Sequence, residues 1–254
     1  MTATDGGFRS TAVAALAERR YERAGDEYSR AGWRILSEPR PNTSGFEADE
    51  KGWVGQGLAA LALAAVAYRV AGRHDRGTHR AVEGIAVARD LSNALTHPVQ
   101  QACLDTFVAD FRVLADLDGV AAAYETAVSA YEAAGDAVDD PREWSTTPLL
   151  GAAAAPLKQI ARSGANGEIA VTWTDLHGSD PDQPGAFLAH RARYKHQRLP
   201  ALVDRLLDDG YLAAPRGTTE YNNDQYRCPQ CESSDVNWIG DAVVCLRCST
   251  PMED

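Results

Sequence analysis

Two short motifs, separated by thirteen residues, decide how the C-terminal end of the chain folds: Cys228-Pro229-Gln230-Cys231 and Cys245-Leu246-Arg247-Cys248. They contain four of the five cysteines in the 254-residue chain. A Cys-x2-Cys turn directs both sulfurs toward one point, so two such turns supply the tetrahedral set of thiolates that a structural zinc ion requires. The spacing predicts one structural Zn²⁺ per chain. Disulfides, reactive redox pairs and an iron–sulfur cluster are the alternatives.

The residues between the two motifs predict a small β-hairpin. Val236–Ile239 and Ala242–Cys245 read as short strands, and the Gly-Asp pair between them suits a tight turn. Cysteine turns at the ends of a hairpin resemble a zinc ribbon, here over residues 226–251. Glu232 and Ser249 stand where that family usually has glycine after each second cysteine. Four protein thiolates leave no position for water or substrate, so the site is expected to stabilise the fold and not to catalyse.

The composition is acidic and poor in lysine. The net charge is −11, and only three of the 25 basic residues are lysines. This profile resembles proteins of salt-loving archaea, and a high-GC mesophile is the alternative source. An acidic surface disfavours general affinity for nucleic acids or anionic membranes. The N-terminus lacks a signal-peptide pattern, and the longest apolar stretch, residues 57–68, is too short to span a bilayer. Together with metal-binding thiols, these features predict a cytoplasmic protein without a membrane partner.

Residues 1–163 are predicted to be helical almost throughout. Apolar residues recur at helical spacing over residues 9–37, as one long helix or a broken pair, and again over residues 48–71 and 75–95. Two further helices are predicted after His97-Pro98 and after Asp118-Gly119. The connections are short, so consecutive helices are expected to pack antiparallel.

Segments of this helical region repeat each other. Tyr21-Glu-Arg-Ala-Gly-Asp26 recurs as Tyr131-Glu-Ala-Ala-Gly-Asp136, and small residues opposite aromatic ones suit stacked helical hairpins. The region resembles the tetratricopeptide family, particularly the branch similar to soluble NSF-attachment proteins, and a plain six-helix bundle is the alternative. The resemblance implies a concave surface that binds a partner protein. The candidate residues for that surface are Tyr28, Trp33, Trp53 and Tyr68.

A basic segment interrupts the acidic chain after residue 164. No acidic residue lies between Asp182 and Asp204. The candidate contacts to phosphate or nucleic acid are His190, Arg191, Arg193, Lys195 and Arg198. The alternative is that a cationic helix docks onto the acidic helical region of the same chain.

The residues around this segment are similar to a winged helix. A strand is predicted over residues 169–173, a helix break at Pro200, a second helix that ends at Gly210, and two strands within residues 211–226. Three aspartates on the helix after Pro200 disfavour DNA recognition by that helix. The basic segment before Pro200 would have to make the contacts.

Catalytic patterns are weak. Cys103 lies on an apolar helical stripe and is expected to be a buried structural thiol. His74 and His79 are five residues apart, so they do not share a helix face as a metal pair would. Asp175 and His177 are expected to be solvated loop residues, with metal binding as the alternative. No nucleophile–base pair or phosphate-binding glycine loop is present in the sequence, so an enzyme is not expected.

The sequence therefore predicts a mainly α protein in three parts. Residues 1–163 form a helical repeat or bundle, residues 164–225 a linker with the basic segment, and residues 226–254 the zinc ribbon. The predicted function is a non-enzymatic adaptor that binds partner proteins. The alternative is a nucleic-acid-associated regulator that uses the basic segment and the ribbon.

Overall fold

Helices dominate the computed structural model, which describes residues 7–37 and 52–252. Within these ranges the helices are α1 (Phe8–Ala17), α2 (Tyr21–Ser37), α3 (Gly52–Val70), α4 (His74–Ala94), α5 (Pro98–Leu114), α6 (Val120–Ala133), α7 (Pro141–Ser145), α8 (Pro148–Ser163) and α9 (Pro184–Asp209). The strands are β1 (Thr218–Glu220), β2 (Val236–Ile239) and β3 (Ala242–Cys245). The mainly helical class predicted from the sequence is confirmed.

The N-terminal helical pattern forms the broken pair. The chain turns between α1 and α2, where Arg19 adopts a positive φ of 57°. One face of α2 is buried, including Tyr28, Ala31 and Ile35, because these residues recur every three to four positions. The predicted start of the next helix at residue 48 lies outside the described residues.

The central helix is α3, which contacts α2, α4, α5 and α8. It is apolar on almost every side, and among the described helices it alone has the length and composition to cross a membrane, so the prediction that this apolar stretch is too short was wrong: the helix extends beyond residues 57–68 at both ends. Most of its side chains are buried by the surrounding helices, as expected for the core helix of a bundle. Glycine allows close approach to it: a Cβ on Gly25 would lie 2.7 Å from the Tyr68 ring.

Contacts between helices that are distant in sequence close the structure into a bundle. Consecutive helices from α1 to α6 contact each other, but α3 also contacts α8, and α9 contacts both α5 and α6. In an open repeat array each unit contacts only its neighbours. The described residues form nine helices with such long-range contacts, and the tetratricopeptide-like repeat is not confirmed.

The segment predicted to resemble a winged helix has a different structure. A single helix, α9, continues through Pro200 and ends at Gly210, which has the left-handed φ of 59° expected for a cap. Leu199 and Val203 are buried on either side of Pro200, so packing offsets the hydrogen bond that proline cannot donate. The predicted helix break is therefore wrong.

Two predicted strands near this helix are also absent from the described structure. Residues 169–173 and 211–214 are irregular. A strand needs a neighbour that accepts its backbone hydrogen bonds, and the amide of Thr172 instead donates to the Asp175 carboxylate at 2.7 Å. The amide of Ala213 likewise donates to the Ser163 hydroxyl at 3.0 Å.

The C-terminal hairpin forms as predicted and gains a third strand. β2 and β3 pair antiparallel, with Val236 opposite Cys245, and the turn between them starts at Gly240 with a φ of 58°. β1 adds to the other edge of β2, with Thr218 opposite Trp238. The strand order is β1-β2-β3. β1 lies in the later part of residues 211–226, the stretch for which two strands are predicted, and it has only three residues.

One continuous hydrophobic core runs from α1 to Leu212 and includes α9. A second small cluster joins Val13 and Ala17 of α1 to Ala214 and to Val244 of β3. Apolar contact therefore attaches the C-terminal sheet to the first helix of the bundle. The division of the chain into three domains remains a prediction.

Candidate metal centre and its surroundings

Two backbone turns bring the four predicted metal ligands together. The Glu232 amide donates to the Cys228 carbonyl, and the Ser249 amide donates to the Cys245 carbonyl, both at 2.9 Å. Glu232 and Ser249 each adopt a φ of 59°, the left-handed conformation for which glycine is favoured. The turns thus keep their geometry without glycine, although each non-glycine residue at such a φ has a steric cost.

The sulfur positions fit one tetrahedral metal ion. Three of the Sγ–Sγ distances are 3.5 to 3.6 Å, and all four sulfurs lie within 4.8 Å of one another. Zinc bonds to sulfur of about 2.3 Å place tetrahedral sulfurs about 3.8 Å apart. A disulfide requires about 2.05 Å, so the cysteines are not paired in this way. The four cysteines can hold one metal ion, and the chain itself would fill every coordination position.

A buried arginine connects this centre to the bundle. The Arg162 guanidinium on α8 donates to the carbonyls of Gly167, Ala214 and Leu246, at 2.8, 2.5 and 3.1 Å respectively. Leu246 lies between the two cysteines of the second motif. Burial lowers the pKa of Arg162 to about 10, so the side chain stays protonated at neutral pH. Arg162 therefore ties the second cysteine turn to α8.

Two further contacts hold the ribbon against the rest of the chain. Arg247 forms ion pairs with Asp235 inside the ribbon and with Glu168 outside it. Gly167 has a φ of 78°, and a Cβ there would lie 1.7 Å from the Leu246 carbonyl oxygen. Only glycine allows both this backbone conformation and this approach. The ribbon is therefore seated on the bundle by polar as well as apolar contacts.

The basic segment lies on α9, and two of its five candidate residues are buried. Arg191 is 4% exposed and Lys195 is 2% exposed. Arg193 is partly exposed and forms an ion pair with Glu132 on α6. His190 is half-buried, and Arg198 is exposed. This placement corresponds to the intramolecular docking alternative, because the buried cations face the bundle and not solvent.

Lys195 belongs to a buried polar network that the sequence analysis missed. Its ammonium donates to the Asp110 carboxylate at 2.5 Å and to the Ala153 carbonyl at 2.8 Å. The Tyr124 hydroxyl donates to the other oxygen of Asp110 at 2.7 Å. Burial raises the pKa of Asp110, and the Lys195 charge opposes that shift. In the sequence, this network could have been recognised only from Asp110, an acidic residue within the apolar stripe of α5.

Arg191 forms a second buried arrangement with His177. One guanidinium nitrogen donates to His177 Nε2 at 2.8 Å, and another donates to the Leu150 carbonyl at 3.3 Å. His177 Nδ1 lies 2.6 Å from the Trp173 carbonyl oxygen and donates to it. Burial, followed by the Arg191 charge, lowers the pKa of His177 to about 4. Both ring nitrogens are occupied, so the expectation of a solvated loop residue is wrong and no ring nitrogen remains for a metal.

The four aromatic candidates for partner binding do not form one surface. Tyr28 and Tyr68 are buried, Trp53 is half-buried, and Trp33 is 38% exposed. Tyr68 donates to Asp26 at 2.8 Å within the α2–α3 contact. The helical spacing of these residues is therefore explained mainly by their packing between helices.

Cys103 is a buried thiol in the bundle core. Burial raises its pKa, and the neighbouring charges of Arg191 and Lys195 only partly oppose the shift. The His97 ring lies against Trp144, with 4.0 Å between ring centroids, and its Nδ1 accepts the Val99 amide. A protonated thiol is a poor nucleophile, so Cys103 has a packing role.

Comparisons of the chain with protein-family models, curated proteins and solved structures found no match in any of the three. Function therefore has to be inferred from the geometry of the chain itself.

Proposed function

We propose that this protein is a non-enzymatic adaptor with a structural zinc ribbon. The observation that supports this function is the exposure of three large apolar side chains, two in the segment between α8 and α9 and one directly after β1. Ile169, Trp173 and Tyr221 are 62%, 43% and 47% exposed. The Tyr221 hydroxyl donates to the Glu168 carboxylate at 3.1 Å, so Tyr221 lies near the segment that contains Ile169. We name these three residues the junction surface.

The junction surface has the properties of a protein-binding site. Aromatic residues contribute large contact area at low entropy cost and are enriched at interfaces. Arg247 lies 5.7 Å from the Tyr221 ring and also pairs with Asp235 and Glu168, which limits the motion of this region. A rigid surface loses less conformational freedom when a partner binds.

The metal contributes to this function by stabilising the ribbon. We propose zinc because four thiolates in a closed tetrahedral set suit that ion, and no ligand position is left for chemistry. Reduced thiols favour a cytoplasmic location. The acidic, lysine-poor composition favours a salt-loving source, in which a partner would be held by apolar contact more than by charge.

The nucleic-acid alternative has less support. Arg191 and Lys195 are buried, so they cannot contact phosphate without leaving the core. Arg193 is engaged with Glu132, which leaves Arg198 and His190 as the remaining candidates. Two side chains offer few contacts to phosphate, and the net charge of −11 on the chain repels a polyanion.

The test compares partner capture by the wild-type chain and by junction-surface variants. Tagged protein is recovered from its own cytoplasm at native salt, with and without nuclease. We expect a stoichiometric partner protein that is retained after nuclease treatment and is lost with the double variant Trp173→Ser/Tyr221→Ser. Val82→Ser is the matched control, because Val82 is 48% exposed on α4, away from the ribbon. Partner loss on nuclease treatment, or equal capture by the double variant, would contradict the proposal.

A further inference from the structure

A half-open cleft of about 630 Å³ lies between α2, α3 and α8. Residues 168–171 and 215–216 also line it. Clefts of about 300–1,000 Å³ are typical of sites for small organic ligands. We name this feature the α8 cleft. Of the three junction-surface residues only Ile169 lines it, and the two that the adaptor test replaces, Trp173 and Tyr221, do not, so the two proposals can be tested separately.

Small apolar side chains form the walls of the α8 cleft. They are supplied by one face of each helix: Ala31 and Ile35 from α2, Ala59, Ala60 and Leu63 from α3, and Ala155 from α8. Gly151 adds to the open space, because a Cβ there would meet no atom within 4 Å. Such walls accept an aliphatic or aromatic body without specific polar contacts.

A buried hydroxyl lines the same cleft. Tyr28 is 1% exposed, and its hydroxyl lies beside the Gln159 side chain but makes no hydrogen bond of normal geometry within the part of the chain that the structure describes. An unsatisfied buried hydroxyl is costly, so such groups usually have a partner. Burial raises the pKa of Tyr28, and the neighbouring Gln159 side chain and then the Arg9 charge oppose that rise. Tyr28 and Arg9 both line the cleft.

The charges around the α8 cleft are predominantly positive. Its lining contains Arg9, Lys158, Arg162 and Arg216 but only one acidic residue, Glu168. Glu168 is already paired with Arg247 and Arg216. Arg9 and Lys158 are exposed and form no ion pair within the described residues. In a chain with a net charge of −11, this is a local excess of unpaired cations.

We propose that the α8 cleft binds a small organic acid: a carboxylate on an apolar body, comparable in size to a medium-chain fatty acid. The carboxylate accepts the Tyr28 hydroxyl hydrogen and is attracted by Arg9 and Lys158. The apolar body lies against the alanine-rich walls. No bond is made or broken. A free carboxylic acid is preferred to a peptide because the cleft is of small-molecule size.

The test measures binding of decanoate to the full-length protein by isothermal titration calorimetry. Decanol has the same chain without the charge, and decylammonium has the opposite charge. We expect decanoate to bind at least about tenfold more tightly than decanol, since a hydrogen bond to a charged group has this effect. Decylammonium should bind more weakly than decanol. Equal binding of the three compounds, or no decanoate binding at millimolar concentration, would overturn the proposal.

Variants then assign the binding to the cleft. Tyr28→Phe removes only the unpaired hydroxyl, so it should fold normally and weaken decanoate binding about tenfold. Arg9→Gln/Lys158→Gln should weaken decanoate but not decanol, whereas the exposed Arg89→Gln on α4 should change neither. Ala155→Trp should block both compounds. Unchanged decanoate binding in the first two variants would mean that the acid binds elsewhere. In that case the adaptor proposal would still stand.

Discussion

Replacing Lys195 by methionine should destabilise the bundle strongly. Lys195 is 2% exposed and, among the described residues, is the only cation bonded to Asp110, whose other donor is the Tyr124 hydroxyl. Lys195→Met leaves the Asp110 carboxylate buried with one neutral hydrogen bond and leaves the Ala153 carbonyl without its ammonium donor. Removing one member of a buried ion pair typically costs about 3–5 kcal/mol. That is a large part of the roughly 5–15 kcal/mol by which a domain is stable.

Two further variants isolate the cause of this loss. Lys195→Met/Asp110→Asn removes the buried charge but keeps an acceptor for Tyr124, so it should lose at least about 2 kcal/mol less than Lys195→Met alone. Arg193→Met is the matched surface control. Its ion pair with Glu132 is largely solvated, so its loss should cost under about 1 kcal/mol.

The assay is urea unfolding followed by circular dichroism. The Lys195→Met penalty should be smaller at acidic than at neutral pH, because a buried carboxyl without its cation has a raised pKa and takes up a proton. The reasoning is refuted if Lys195→Met costs no more than Arg193→Met, or if the double variant is less stable than Lys195→Met. Unchanged stability combined with loss of bound nucleic acid would instead identify Lys195 as a phosphate contact.

Three other predictions concern the metal, the buried histidine and the ribbon contact. Purified protein should contain about one zinc ion per chain, and Cys231→Ser should lower that content. The variant should also reduce hydrogen-exchange protection in both the ribbon and α1, because Val244 packs against α1. Loss of protection in the ribbon alone, or stoichiometric iron in the purified protein, would contradict this prediction. The pKa of His177 is lowered from 6.5 to about 4 in the folded chain, so the unfolded chain takes up a proton first as the pH falls. The free energy of unfolding should therefore decrease by up to about 3 kcal/mol between these two values, and a His177→Gln variant that keeps the same pH dependence would disprove the assignment. In thermal unfolding, Gly167→Ala should lower the free energy of unfolding by about 1–3 kcal/mol more than Gly210→Ala. Both positions have positive φ, but only Gly167 approaches the ribbon backbone. Equal losses of stability in the two variants would mean that the ribbon contact is not tight.

The winged-helix prediction failed for a reason that lies outside the segment itself. Proline normally ends a helix, and the residues around Pro200 contain no local signal to the contrary. The helix continues because buried side chains on both sides of the proline pack against the bundle. Only the three-dimensional neighbours of α9 could reveal this.

The basic segment illustrates the same limit. A run of cations in an acidic chain is compatible with a phosphate site or with internal docking, and the sequence analysis left both open. Lys195 and Asp110 are separated by 85 residues, so their pairing has no signature in local spacing. The α8 cleft likewise combines residues from several elements and could not be predicted from periodicity.

Local spacing was sufficient for the cysteine turns, the hairpin between them and most helices, because each depends on residues two to four positions apart. Tertiary structure alone decided which cations are buried, how the ribbon is seated through Arg162, and where a cleft remains open. These features depend on side chains that meet from distant parts of the chain, where desolvation and close packing, and not sequence periodicity, set the free energy.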